Sequence, residues 1–172
     1  MTELYFGPFD NGSAIPAGTT PDWINPHDCD YNNFAFNVVK TSGGKVNITL
    51  TARNHGNVDV ADVTVNLFGG AAVIDWTADV PAQLRNLVGS LSLIKTWPGV
   101  TLPARPSPPI EVNPWNSGQT LWPVPPDYGG KYVLIATMIH SPDVAPGPVP
   151  GNDPCDPSRD RYCAIWVYPK HT

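Results

Sequence analysis

The run VNITLTARNHGNVDVADVTVNLF, from Val46 to Phe68, restricts the fold more than any other stretch of the chain. In its first half Val46, Ile48, Leu50 and Ala52 alternate with Asn47, Thr49, Thr51 and Arg53. In its second half Ala61, Val63, Val65 and Leu67 alternate with Asp62, Thr64, Asn66 and Phe68. A period of two sends successive side chains to opposite faces, so each half predicts a strand with one buried face. Between the halves, Asn54-His55-Gly56-Asn57 supplies residues that form Asx turns or accept a positive φ. Two strands joined in this way either pair as a hairpin or pass from one sheet to the other, and sandwich connections commonly cross.

Other segments extend the all-β reading. NNFAFNVVK (32–40) predicts a strand with Phe34, Phe36 and Val38 on one face. Gly69-Gly70 reads as the end of the Val46–Phe68 unit, Ala72–Trp76 as a short strand, VGSLSLIK (88–95) and QTLWPV (119–124) as two more. Between Trp97 and Pro114 stand Pro98, Pro103, Pro106, Pro108, Pro109 and Pro114, which fits extended loop or an edge strand because proline donates nothing to a ladder. KYVLIATMI (131–139) is apolar on both faces and belongs at the centre of a sheet covered on both sides. YCAIWVYP (162–169) closes the domain, after a long loop over 141–154. No pattern sustains two helical turns, although Ala82–Leu87 suits one turn. Residues 1–31, with Pro8, Pro16, Pro21 and Pro26, read as an extended N-terminal arm packed on a domain spanning 32–172 through Tyr5, Phe6, Phe9 and Trp23.

Composition agrees. The 172 residues suit one domain, and 41% apolar residues suffice for a single core. With 21 Pro and 15 Gly, about a fifth of the chain punctuates it, while interspersed Val, Ile, Leu and aromatic residues argue against disorder. Ten scattered Lys and Arg in a chain of net charge −5 give no basic face for nucleic acid or an anionic membrane. No apolar run approaches the roughly 20 residues that span a bilayer. The N-terminus MTELYFGPFDNG lacks the basic and apolar regions of a signal peptide, so the expectation is a cytoplasmic protein or one exported without a cleaved signal, a surface role included.

From these strands the fold expected is an all-β, immunoglobulin-like antiparallel sandwich with Pro-rich loops and an extended N-terminal arm. The segment TARNHGNVDVADVTVNLF resembles the V-x-N-x-G-x-x-x-A-x-x-V-x-V-x-L signature of bacterial immunoglobulin-like domains of the CARDB type, the cell-adhesion-related domains. GGKYVLIATMIHSPD resembles the same family's G-x-Y-x-L-x-A-x-I-x-S-P-D strand and turn. The resemblance spans about residues 32–168 and implies a sandwich with an adhesion or interaction role; its motifs mark strands and turns rather than a catalytic centre. In place of the family's Asn-Asn pair before the last strand stands the insertion GNDPCDPSRDRYC.

Candidate sites are few. His140, Ser141 and Asp143 sit in HSPD, but neighbours on a strand point to opposite faces and no G-x-S-x-G elbow is present, so a turn explains them better than a triad. Asp28 and Asp30 in PHDCDYNN and Asp153 and Asp156 in the last loop offer hard oxygen ligands of the kind Ca²⁺ takes, without EF-hand spacing; solvated turn carboxylates are the plainer reading, and no cofactor is otherwise expected. Cys155 and Cys163 would close a small loop as a disulfide in an oxidising compartment, and otherwise stand with Cys29 as reduced thiols. Six tryptophans are many for this length. Trp97, Trp115 and Trp122, with Tyr128 near them, lie in or beside Pro-rich stretches where rings would stack on sugar faces or pack on proline as a loop core. The expectation is a non-enzymatic binding or assembly module for a protein partner or a second copy, through strand addition by the arm or another exposed edge; the alternative is a carbohydrate-binding module using those tryptophans.

Overall fold

In the computed structural model, which describes residues 4–6, 35–54, 58–104, 115–139 and 163–169, the first alternating run forms the hub of one sheet. The elements in chain order are β1 (Leu4–Phe6), β2 (Phe36–Lys40), β3 (Lys45–Asn54), β4 (Val60–Ala71), α1 (Val80–Leu87), β5 (Ser92–Leu102), β6 (Trp115–Asn116), β7 (Thr120–Pro123), β8 (Tyr132–Ile139) and β9 (Cys163–Tyr168). Val46, Ile48, Leu50 and Ala52 of β3 are buried as their alternation requires. All four other strands of this sheet pair antiparallel with β3. Ala52 pairs with both Phe6 and Trp115, and Val46 with both Lys40 and Trp122, so the partners flank β3 on opposite sides. Between β6 and β7, Ser117 keeps the flank continuous. Its N–H donates to the Leu50 carbonyl at 3.0 Å and its Oγ accepts the Leu50 N–H at 2.9 Å.

The second run, β4, joins the other sheet, in the order β5-β4-β8-β9. The connection after Asn54 therefore crosses between sheets rather than closing a hairpin. Asn54, nearly buried, ties the crossing down. Its Nδ2 donates to the Val58 carbonyl at 2.6 Å and to the Leu102 carbonyl at 3.1 Å, joining the end of β3 to the end of β5. The fold expected from the alternation, an all-β sandwich of antiparallel sheets, is thus the fold observed.

The core fills the space between the sheets: Phe36, Val46, Ile48, Leu50 and Ala52 face Val63, Val65, Leu67, Val100, Leu102, Tyr132, Leu134, Ala136 and Met138. The strand apolar on both faces, β8, lies between β4 and β9 as expected. Its other face, Val133 and Ile135, packs with Ile165 and Val167 of β9 under Ala72, Ile74, Val80 and Leu84. The last two belong to α1, so a helix covers the β8–β9 part of the outer face of the four-stranded sheet. This helix corrects the expectation of a single turn: eight residues make about two turns. Asp79 caps it, accepting the Ala82 N–H at 3.1 Å, and Gln83 is bonded through its side-chain amide to the backbone of Asp75.

Two further expectations are corrected. Gly69-Gly70 does not end the second run; β4 continues to Ala71, because Gly69 faces inward where side chains from both sheets converge. Ala72–Trp76 is not a strand: Ala72 and Ile74 are buried beneath α1 in an irregular connection. Within the arm, Leu4–Phe6 is a strand of the five-stranded sheet. The Pro-containing stretch from Trp97 begins as expected on an edge strand. In β5, Pro98 and Gly99 fall within one of three register shifts against β4, and the shift between Val60 and Val63 holds Asp62 at φ 58°. Such bulges bend an edge and make it a poor template for another strand.

Replacing Asn54 by Ala removes both amide donors from carbonyls at a buried corner. The expected loss is about 1–3 kcal/mol, measured as a lower urea midpoint at unchanged slope; a midpoint equal to that of the unaltered chain would mean that the crossing is held by other contacts.

Candidate functional site

The three tryptophans that the sequence places in or beside Pro-rich stretches all stand on strands, Trp97 on β5, Trp115 on β6 and Trp122 on β7. All three are half-buried and pack against the core. Trp97 and Trp115 come from different sheets and meet edge to face, with ring centroids 5.7 Å apart and planes at 80°. Lys95 Nζ lies 5.5 Å from the Trp97 ring centroid, a cation–π contact of about 0.5–1 kcal/mol at an exposed position. On the other flank, Phe36 and Trp166 make a tilted contact at 6.2 Å. Aromatic pairs thus bridge the sheets along both flanks.

Trp122 forms a further bridge. From β7 its indole crosses to the other sheet, where a Cβ built on Gly69 would lie 3.2 Å from Trp122 Cζ2, 2.7 Å from Ile94 Cδ1 and 2.8 Å from Leu134 Cδ2. Glycine leaves the gap that these groups fill. The same indole stands edge-on to Tyr132, centroids 5.4 Å apart at 76°. Tyr132 in turn stacks on Tyr168, its cross-strand partner, at 5.2 Å and 15°.

These residues do not form one platform. Trp122 pairs with Val46 and Trp115 with Ala52. Six residues along β3 separate those positions by about 20 Å. Tyr128 belongs to the Trp122 end, in the tight turn Asp127–Gly130 that leads into β8. It holds φ 53°, followed by Gly129 and Gly130 at 67° and 81°, and its side chain is 65% exposed. A left-handed conformation costs a non-glycine residue about 1–2 kcal/mol, and so exposed a ring recovers little of that by packing. Tyr168, absent from the sequence-based candidates, is the other exposed ring at this end among the described residues, at 45%. Its signal was present in YCAIWVYP: it follows Trp166 by two residues and so shares its face.

A second surface lies on the outer face of the five-stranded sheet. Val39 of β2 pairs with Asn47, which pairs with Leu121 of β7, so the three form one row across β3. Val39 and Leu121 are 53% and 54% exposed. The described strands of this sheet carry Lys40, Lys45 and Arg53 and no Asp or Glu, in a chain of net charge −5. The remaining sequence candidates, Asp28, Asp30, Asp153, Asp156, Cys155 and the HSPD stretch, lie outside the described residues; of Cys163 the backbone alone is described, opening β9. Among the described residues no group of three or more His, Cys, Asp or Glu side chains is placed to hold a metal ion, and no helix is long and apolar enough to cross a membrane.

Fold and site together define a two-sheet antiparallel sandwich with bridged flanks and, among the described residues, an exposed Val39–Leu121 row on the five-stranded sheet. No family model matches the chain, and no curated protein matches it. Among solved structures it is similar to part of the GH3 β-glucosidase of Bifidobacterium adolescentis, at 16% identity over 77% of this chain and 16% of that one, with a TM-score of 0.33. It is similar also to part of β-glucosidase 3B of Thermotoga neapolitana, solved in complex with α-D-glucose, at 12% identity over 77% of this chain and 15% of that one, with a TM-score of 0.32. The chain therefore spans 16% and 15% of the length of these two proteins.

Burial raises the Tyr132 phenol above the ordinary tyrosine pKa of 10.0. Ionisation is then harder in the folded chain than in the unfolded one, so this contribution is fully present below the ordinary value and is lost as pH rises towards the raised one. Urea stability measured from neutral pH upward should fall less steeply above pH 10.0 in Tyr132→Phe than in the unaltered chain; parallel curves would contradict the burial argument.

Proposed function

We propose that the chain is a non-enzymatic binding and assembly module that self-associates through the outer face of its five-stranded sheet. The observation that carries this reading is the asymmetry of the two outer faces. On the four-stranded sheet α1 and its neighbours cover the β8–β9 part and leave Leu93 of β5 exposed, whereas the other face leaves Val39 and Leu121 open together on one cross-strand row. Exposed apolar side chains grouped on one face and rimmed by polar ones mark contact surfaces more than single scattered ones do, and here two share one row. Lys45, two residues before Asn47, is exposed on this face, the described strands of the sheet carry no carboxylate, and exposed carboxylates such as Asp62, Asp75 and Asp127 lie elsewhere. Charge complementarity therefore favours a head-to-tail contact with a second copy. This is the adhesion-type role implied by the CARDB resemblance, reached from the surface instead of the motif. The arm adds to the same sheet in cis through β1, so strand addition is a second route by which copies would join.

Light scattering over a range of concentrations tests the reading. The mass should rise with concentration and fall back in high salt. Val39→Glu with Leu121→Glu should give a folded monomer throughout. A monomer at every concentration for the unaltered chain, or a double variant that associates as before, would contradict it.

A further inference from the structure

At the end of the sandwich where β8 begins, two tyrosine rings among the described residues face solvent. Tyr168 has one ring face packed on Tyr132, which Trp122 fixes edge-on, and remains 45% exposed. Its ring is therefore immobilised before any ligand arrives, and little rotamer entropy is left to lose on binding. Tyr128 enters the same end from the turn before β8, 65% exposed and held at φ 53°. Glycine would suit that backbone better, as it does at the next two positions. Strain kept at an exposed residue points to a use for the side chain.

We propose that Tyr168 and Tyr128 form a saccharide-binding platform that takes a pyranose ring of a glycan chain. A tyrosine presents an apolar face with a polar rim. A pyranose matches it, with a face of C–H groups and a rim of hydroxyls. Asp127 and Lys131, both exposed on either side of the turn, supply an acceptor and a donor for those hydroxyls. A proline-rich peptide is the other partner that aromatic surfaces take, but it docks in an aromatic-lined groove, whereas a single open ring face backed by a stacked one suits a single sugar ring. The platform differs from the sugar site expected from sequence. Trp97 and Trp115 are about 20 Å away along β3, and Trp122 serves as its support. It is independent of the assembly face, so Val39→Glu with Leu121→Glu should leave it unchanged.

The test is calorimetric titration of the whole chain with cellohexaose, xylohexaose, mannohexaose and chitohexaose, with hexaproline alongside. At least one hexasaccharide should bind and shift the Tyr168 ring resonances in NMR spectra. Tyr128→Gly should fold and bind about tenfold more weakly. Tyr168→Phe should keep the affinity, because the ring face is retained, whereas Tyr168→Ala should lose it. The Gly variant keeps the test valid should Tyr168→Ala fail to fold. Binding of none of the four sugars, binding of hexaproline alone, or sugar binding that neither Tyr128→Gly nor Tyr168→Ala weakens would overturn the proposal.

Discussion

The contact between the Trp122 indole and Gly69 sets the terms on which the two sheets meet. Stacked sheets lie about 10 Å apart, and a half-buried indole fits that space where the opposite strand offers no side chain. At Gly69 the strand offers none, and Ile94, Leu134 and Trp122 close on the gap. The indole then orients Tyr132, and Tyr132 orients Tyr168. One small residue on β4 thus governs the packing of β7, β8 and β9 at this end. Trp97 with Trp115 and Phe36 with Trp166 bridge the sheets elsewhere by the same means.

Magnitudes show what these rings do. Edge-to-face geometry adds about 0.5–1.5 kcal/mol per pair, while burying a large apolar side chain is worth about 1.5–3 kcal/mol. Area removed from water therefore dominates over ring geometry. Four of the six tryptophans, Trp97, Trp115, Trp122 and Trp166, pack against the inter-sheet core, and Trp76 packs against the layer beneath α1. Their number reflects architecture. Recognition falls to surfaces that the bridges leave open, namely the Val39–Leu121 row and the two exposed tyrosines.

Much of the fold was legible because burial imposes a short period on sequence. The alternation in 46–53 and 63–67 marked both faces of β3 and β4, and the mostly apolar run of β8 marked a strand covered on two sides. Gly69-Gly70 misled because glycine marks a turn in one setting and a close approach in another, and only the opposite sheet distinguishes them. The helix was underestimated because two turns carry little periodic signal, although Asp79 ahead of it was a readable cap. The site was less legible than the fold. Trp97, Trp115 and Trp122 look adjacent in a Pro-rich region of sequence, yet register along β3 separates Trp115 from Trp122. Tyr168 gains meaning only from the ring stacked behind it.

The central claim, that Trp122 is a strut seated on Gly69, is tested most directly by a double-mutant cycle between Gly69→Ala and Trp122→Leu in urea. Overpacking costs typically about 1–3 kcal/mol, and the account predicts that Gly69→Ala costs this much in the native background. With the indole gone, the same substitution should cost less by at least about 0.5 kcal/mol. Equal costs in both backgrounds would show that the two residues do not sense each other, and the strut would have to be abandoned.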